Sequence, residues 1–297
     1  MLLCDFVAKI ELITKLNFID MANKYLISFI FLVLNITSIY TNGFSQNQLH
    51  KIPTQSINPY KLLGDTTNIT FTINEFEISN FVKYKEYKQY LNEIKRDSSI
   101  EYYLSQLPDT NIGNKEVYNK YLNSSKYDDS PVIGISWDNA MNFCKWKTIK
   151  ENPKDSFVFI YRLPDISEWL SAYSFTDEKN IKNDFNKNYS DWLLNSMDDS
   201  HYEYSNNKDK IFPCDYIYFH KREDPLVLKR KLVIGDSFLF QKDKLMKTTS
   251  ASYYATEGYR QIGFRNVKVF ISKSKKYFIK GITVDNYILK YWGLKTK

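Results

Sequence analysis

PVIGISWDNAMNFCKW, residues 131–146, is the stretch that decides the fold. Its first part is an apolar run, Val132–Ile135, which predicts a short strand. Ser136 then stands where a hydroxyl can accept a hydrogen bond from the first turn of a helix. Four residues recur at helical spacing on one face: Trp137, Ala140, Met141 and Cys144. The stretch therefore predicts a strand, a helix cap and an amphipathic helix in immediate succession.

A second stretch, FVFIYRLPDISEWLSAY at residues 157–173, repeats this order of elements. Its apolar start, Phe157–Tyr161, predicts a strand, and Asp165 and Glu168 have the spacing of a capping box. Arg162 precedes this cap and is predicted to pair with Glu168, which would tie the strand to the helix. Three tryptophans are predicted to lie in the core rather than on a ligand platform: Trp137, Trp146 and Trp169.

Shorter patterns complete the prediction of an α+β domain. Alternation of apolar and polar residues predicts a strand over residues 69–73, and Phe76–Ile78 predicts another. Ser79 or Asn80 is predicted to cap a helix over residues 81–95. Further along, we predict an insert without strong pattern at residues 97–129, a strand pair broken at Gly235-Asp236 and a closing strand at residues 263–271.

The composition of the chain excludes several classes of protein. Its 297 residues are 43% hydrophobic and 25% charged, which is typical of a folded globular protein. The net charge is +7, but the last 25 residues hold seven Lys and one Asp, so the remaining chain is nearly neutral. Nucleic-acid binding is therefore not predicted. Three Cys and three His leave almost no room for a zinc or iron site built from side chains of those two types.

The N-terminal region is typical of an exported protein. Residues 25–40, YLISFIFLVLNITSIY, are shorter than the roughly 20 residues that a spanning helix needs and follow a basic residue, Lys24. We predict a signal peptide over residues 21–46 and a mature chain that begins between Gln46 and His50. An uncleaved signal anchor is the alternative. No Cys follows the signal closely, so lipoprotein acylation is not predicted. The full division is 1–20 as an upstream mis-start, 21–46 signal, 47–66 linker, 67–272 domain and 273–297 basic aromatic tail.

Four segments in order resemble the formylglycine-generating enzyme, or sulfatase-modifying factor, family. They are FEISNFVKYKEYKQYL (76–91), PVIGISWDNAMNFCKW (131–146), RLPDISEWLSAY (162–173) and GFRNV (263–267). The resemblance implies an irregular α+β fold related to C-type lectins, with little regular secondary structure for its size. It also implies scaffold roles, with Arg265 anchoring a buried turn, for Ser136, Trp137, Cys144, Trp146, Arg162, Leu163, Pro164, Glu168, Trp169, Gly263, Phe264 and Arg265.

The second half of the chain is more similar to a non-catalytic branch of this family, found among gliding-motility and type IX secretion ring lipoproteins. The segments that carry this resemblance are DWLLNSMDDSHYEY (191–204) and DPLVLKRKLVIGDSF (224–238). The chain departs from the branch in having Asp191 before Trp192 instead of Glu, and IGDSF at residues 234–238 instead of R-G-G-S-W. It also lacks the lipoprotein Cys.

The family's oxidase chemistry requires two neighbouring thiolates near the C-terminus to bind copper. This chain has no Cys after Cys214, and the corresponding stretch, residues 245–251, reads LMKTTSA. An iron-binding branch of the fold uses His, but His50, His201 and His220 are scattered along the sequence. We therefore predict no catalytic residue, no cofactor and no bound metal.

Two local questions stay open in the sequence. Cys144 either pairs with Cys214, which an oxidising compartment permits, or is a free thiol buried on a helix face. His201 lies beside several acidic residues, which form either a calcium or acid/base site or an exposed polar loop: Asp198, Asp199 and Glu203.

The resemblance and the export signal together predict a non-catalytic interaction protein in the periplasm or at the cell envelope. Its expected partners are envelope proteins, including secretion-ring components. Membrane contact is expected only through the signal or the basic tail, which also suits an acidic partner or a solvated end. The alternative is a lectin-like module whose exposed Tyr and Trp rings stack on sugars, and an enzyme of another type stays open.

Overall fold

The computed structural model describes residues 48–62, 68–153, 156–175, 189–197, 216–235, 251–273, 277–279 and 281–294. The α-helices of this part are α1 Pro59–Leu62, α2 Tyr84–Asp97, α3 Ile100–Ser105, α4 Lys115–Asn123, α5 Trp137–Glu151, α6 Ile166–Ser174 and α7 Val284–Tyr291. The strands are β1 Leu49–Ile52, β2 Gln55–Ile57, β3 Phe71–Ile73, β4 Phe76–Ser79, β5 Phe159–Arg162, β6 Ser190–Ser196, β7 Arg230–Ile234, β8 Ala251–Tyr254, β9 Ile262–Gly263, β10 Val267–Phe270, β11 Tyr277–Ile279 and β12 Ile282–Thr283. The predicted α+β class is confirmed.

The first sheet joins distant parts of the chain in the order β1-β4-β10-β5, with antiparallel neighbours. Its outer strand β1 pairs with β4 from Leu49 to Ile52, and Ile52 is fully buried. A shorter ladder joins β2 to β3. The linker predicted for residues 47–66 is therefore wrong over 49–62, where the chain forms two strands and a short helix. Polar residues on the exposed face of these strands hide the strand pattern in the sequence.

The second sheet has the order β8-β7-β6-β9, in which β6 and β9 are parallel and the other neighbours antiparallel. Every residue of β6 is buried. Two indoles connect this strand to the start of α5: Trp137 Nε1 donates to the Leu193 carbonyl at 2.8 Å, and Trp192 Nε1 donates to the Ile135 carbonyl at 2.8 Å. The predicted core positions of Trp137 and Trp169 are correct, since both are about 1% exposed.

Helix α5 begins as predicted, because the Ser136 hydroxyl accepts from the Asn139 N–H at 3.1 Å. The strand predicted at Val132–Ile135 is wrong. This segment is buried, but its backbone bonds to three different partners, Val82, Asp109 and Tyr259, instead of to one strand. Gly134 has φ +72°, which an L-residue rarely adopts. An apolar run therefore predicts burial here, while the backbone geometry excludes a ladder.

Helix α2 begins later than predicted, with Lys83 at the N-cap and no side-chain cap. The expected caps have other partners: Ser79 Oγ donates to the Asn80 carbonyl at 2.7 Å, and Asn80 Oδ1 lies 3.0 Å from His50 Nε2. The 97–129 insert contains α3 and α4. In the described structure α3 has no buried residue and α4 has one, Tyr121, so their sequences carry almost no apolar periodicity.

The end of the chain packs into the same folded unit. Helix α7 buries Val284, Ile288 and Leu289, and its Asp285 reaches Arg162. The prediction of residues 273–297 as a tail beyond the domain is therefore wrong for α7. None of the helices in the described ranges is long and apolar enough to cross a membrane. The signal predicted at 21–46 and the mis-start predicted at 1–20 lie outside those ranges.

Candidate functional site

A buried ion cluster lies at the turn between β5 and α6. The Arg162 guanidinium donates to both oxygens of Glu168, at 2.7 and 2.8 Å, and through Nε to Asp285 Oδ1 at 2.6 Å. It also donates to the Leu163 carbonyl at 3.1 Å. The predicted pair of Arg162 and Glu168 is confirmed. Asp285 is a new member of the cluster, which the sequence did not indicate.

The cluster also contains the cap of α6. Glu168 accepts from the Asp165 N–H at 2.9 Å, and Asp165 accepts from the Glu168 N–H at 3.0 Å, so the predicted capping box is confirmed. Burial disfavours the charge of Arg162, yet Glu168 and Asp285 hold its pKa well above the ordinary value. Burial raises the pKa of Glu168, and Arg162 opposes this rise. Bidentate pairing and capping therefore engage both Glu168 oxygens in structural bonds.

A second buried pair joins the two sequence segments that contain Asp191 and Arg265. Arg265 Nε lies 3.0 Å from each Asp191 oxygen, and Trp169 Nε1 donates to the same carboxylate at 2.8 Å. The Arg265 guanidinium also lies 4.4 Å from the ring centre of Phe81. Arg265 thus anchors a buried segment, as the family resemblance implied. Asp191 is the residue that departs from the Glu of the secretion branch, and it keeps the carboxylate.

The remaining shared residues pack around these two pairs. Leu163 and Phe264 are fully buried, and the Pro164 carbonyl accepts from the Leu194 N–H at 2.9 Å. A Cβ added to Gly263 would lie 3.1 Å from both Phe81 and the Val132 carbonyl. Glycine suits this position because a side chain would push these neighbours away by a few tenths of an ångström.

A buried lysine lies against the Trp137 ring. Lys231 Nζ is 4.0 Å from the ring centre and donates to Ser196 Oγ at 2.9 Å and to the Tyr218 carbonyl. Burial lowers the pKa of Lys231 to about 7, and Asp138 only partly offsets this. The side chain is 0% exposed, so no external substrate reaches the amine. Its role is to connect β7 to β6. The sequence feature that could have indicated its burial is its position directly before the apolar run 232–234.

The shared Cys144 and Trp146 lie two residues apart on α5, in different surroundings. Cys144 is a free thiol and 0% exposed, and burial raises its pKa. Trp146, predicted to lie in the core, is instead half-buried and packs against it, and its Nε1 donates to Glu93 Oε2 at 2.7 Å. Cys144 therefore presents no reactive thiolate to solvent.

The histidines of the described chain do not meet. His50 contacts Asn80 in the first sheet, and His220 Nε2 lies 3.2 Å from the Asp138 carboxylate. Among the residues that the structure describes, no group of three or more His, Cys, Asp or Glu side chains could hold a metal ion. Several predicted positions lie outside the described residues: Asp198, Asp199, His201, Glu203, Cys214 and residues 245–250.

An open cleft of about 390 Å³ lies over the Arg162 cluster. Its lining includes the apolar side chains of Phe71, Ile73 and Val269 and the polar ones of Thr72, Asn74 and Ser167. At its edge Lys273 pairs with Glu75 at 2.5 Å. The cleft was not predicted, because β3 and the segment that follows β10 meet only in the folded protein.

The comparison with protein families agrees with this architecture. The model of the sulfatase-modifying factor enzyme 1-like domain matches residues 63–215, which is just over half of the 297 residues. The chain belongs to this family.

This family member is similar to several solved structures over about three quarters of its length. CarF is 11% identical with a TM-score of 0.46 and matches 75% of this chain and 98% of its own. Treponema denticola variable protein 1 is 16% identical with a TM-score of 0.47, over 76% of this chain and 96% of its own. PvdO from Pseudomonas aeruginosa is 12% identical with a TM-score of 0.46, over 74% and 93%. No match was found among curated proteins.

Proposed function

We propose that this sulfatase-modifying factor family member is an exported, non-catalytic protein that acts by protein contacts at the cell envelope, as a relative of the gliding-motility and type IX secretion ring proteins. One observation carries the non-catalytic part. The chain has no Cys after Cys214, and Cys144 is enclosed in the core with a raised pKa. A copper site made of two neighbouring thiolates has no ligands in such a sequence.

The positions of the shared family residues support the same proposal. Arg162, Glu168 and Arg265 each bond to protein groups in the interior, where they connect strands and helices. Chemistry at such residues would require that these bonds break, which would leave buried charges without their partners. The family scaffold is thus retained in a chain that lacks the reactive pair. Envelope location and kinship with secretion-ring proteins rest on the signal-like N-terminus and on the Asp224–Lys231 segment.

A peptide assay tests the absence of oxidase activity. Purified protein is incubated with Cu(I), oxygen and a Cys-containing sulfatase peptide, and mass spectrometry measures conversion of the Cys to formylglycine. We expect no conversion, while a family enzyme with both thiols converts the peptide. The Cys144→Ser variant serves as the matched control and should behave like wild type. Conversion of the peptide by the wild type would contradict the proposal, and its loss in the variant would assign the activity to Cys144.

A capture experiment tests the interaction role. The full chain, tagged at the C-terminus, is cross-linked in its native envelope and purified, and its partners are identified by mass spectrometry. We expect one or a few envelope proteins in stoichiometric amounts. A protein that fractionates with the cytoplasm, or that remains monomeric in the envelope without any cross-linked protein, would refute the interaction role.

The cleft over the Arg162 cluster favours one second candidate, a glycan-binding module. Its mixture of apolar side chains, including Phe71, with amide and hydroxyl groups suits a sugar ring, which has one apolar face and several hydroxyls. A glycan array with wild type and Asn74→Ala tests it. Binding that Asn74→Ala loses, and that the exposed control Asn119→Ala keeps, would favour this candidate over protein contacts.

A further inference from the structure

Three consecutive aliphatic side chains lie on the surface between Pro225 and Lys229. Leu226, Val227 and Leu228 are 59%, 54% and 39% exposed. We call Leu226–Leu228 the apolar turn. In the described part of the chain no other run of three adjacent residues exposes large apolar side chains in this way. Single exposed apolar residues are ordinary, whereas contiguous ones are typical of contact surfaces.

The apolar turn is held in a fixed conformation by hydrogen bonds on both sides. The Asp224 carboxylate accepts from the Lys221 N–H at 2.7 Å and from the Tyr218 hydroxyl at 2.8 Å. The Lys229 ammonium donates to the Arg222 carbonyl at 2.7 Å. Within the turn, the Leu228 N–H donates to the Pro225 carbonyl at 3.0 Å. These bonds lower the entropy that the segment would lose on binding, which favours affinity.

The segment is also anchored to the second sheet. The Ala255 N–H donates to the Lys229 carbonyl at 2.8 Å. Lys229 directly precedes β7, and Ala255 directly follows β8. Tyr254, the last residue of β8, pairs with Arg230 in the register and is 36% exposed. The apolar turn therefore stands on a rigid support with an exposed aromatic residue nearby, and such residues are frequent at the centres of protein interfaces.

The charges in this segment select the kind of partner. Four basic residues accompany two acidic ones: Lys221, Arg222, Lys229 and Arg230 against Glu223 and Asp224. The excess of positive charge favours a surface that carries carboxylates around an apolar pocket. An anionic lipid surface suits the segment less well, because Glu223 is exposed beside the cations and no Trp or Phe belongs to the turn.

We propose that the apolar turn is the contact point for a protein partner whose surface has an apolar pocket bordered by carboxylates. This proposal rests on the interaction role proposed above and names the surface and the chemistry of the partner. The aliphatic side chains enter the pocket, and the flanking lysine and arginine side chains lie opposite the carboxylates. Contacts of this kind depend on salt at the rim and on side-chain volume at the centre.

Site-specific photo-cross-linking in the native envelope tests the proposal. A benzophenone amino acid replaces Val227 in the full chain, and in a control it replaces Val117, which is 47% exposed on α4. We expect one protein to be cross-linked from position 227 and not from position 117. That protein is then purified, and its affinity for the full chain is measured by calorimetry at low and high salt.

The binding measurement uses matched substitutions. The double variant Leu226→Ser/Leu228→Ser should weaken binding by at least about tenfold, whereas Val117→Ser should leave it unchanged. Charge reversal at Arg222 should weaken binding mainly at low salt. Unchanged melting temperatures would show that the variants are folded, because both leucines are exposed.

Three outcomes would overturn the proposal. They are a lipid adduct at position 227 together with binding to phosphatidylglycerol vesicles, a cross-link to a second copy of the same chain, or protein cross-links only from other positions. In the last case the interaction role stands and the assignment of its surface fails. If no position on the surface captures any protein, both fail.

Discussion

The Arg162 cluster connects β5, α6 and α7, so its removal should weaken the attachment of α7 to the rest of the fold. Arg162 and Asp285 have side chains that are only 3% and 2% exposed, and Glu168 is 11% exposed. In Arg162→Ala, two carboxylates remain in the interior without their cation. Breaking a buried pair in this way costs about 3 to 5 kcal/mol of unfolding free energy.

The same geometry predicts a smaller effect for the partner. Asp285→Asn keeps the shape and an oxygen that can accept from Arg162 Nε, while Arg162 stays paired with Glu168, so we expect a loss of about 1 to 3 kcal/mol. The two substitutions share one interaction. The double variant should therefore lose less than the sum of the single losses, by roughly 1 kcal/mol or more.

Thermal and urea unfolding of the purified domain measure these effects. For a domain of this size each kcal/mol lowers the melting temperature by about 2 to 4 °C, so Arg162→Ala should melt roughly 6 to 20 °C below wild type. The exposed pair of Lys83 and Asp129, 3.1 Å apart, gives the control, and Lys83→Ala should cost under about 1 kcal/mol. A melting temperature of Arg162→Ala within about 2 °C of wild type, or strictly additive losses, would refute the account of the cluster.

Three further outcomes are expected from other parts of the core. Trp137→Ala should lower the unfolding free energy by about 3 to 5 kcal/mol, and Trp146→Ala should lower it clearly less because Trp146 is half-buried. Equal losses for the two variants in urea titrations would contradict the packing described. Burial lowers the folded-state pKa of Lys231 to about 7, while the unfolded value stays near 10.5. The unfolded state therefore binds more protons between these pH values, and the unfolding free energy should rise with pH across that window. Lys231→Met should flatten this rise in denaturation curves from pH 6 to 9. In a Cys214→Ser background, Cys144 should react with a thiol reagent only after urea is added, and fast labelling of the native protein would show that it is accessible.

Local interactions were predictable from the sequence. The Ser136 cap and the Asp165–Glu168 capping box join residues three apart, and the residue types that can form them are few. The pair of Arg162 and Glu168 belongs to the same class, since six positions separate the two. These features were predicted correctly because a short window of sequence contains every participant.

The features that sequence analysis missed join distant residues. Asp285 is 123 positions from Arg162, and nothing near Asp285 in the sequence marks it as buried. Strand β1 is recognisable only beside β4, because two of its four residues are His50 and Lys51. For the run at Val132–Ile135, burial could be predicted from its apolar side chains, but its backbone hydrogen bonds to three separate segments could not. Pairing partners over such separations are properties of the folded chain.

The order of strands in the first sheet has a consequence for the timing of folding. Strand β4 ends at Ser79, but its neighbour β10 begins only at Val267. Strand β5 joins this sheet through β10 and must also wait for it. A ribosome must therefore make about nine tenths of the chain before the sheet can close. Contacts between such distant segments form slowly. The growing polypeptide therefore stays without a complete first sheet for most of its synthesis, and its early segments must wait for the last tenth of the chain before they can be buried.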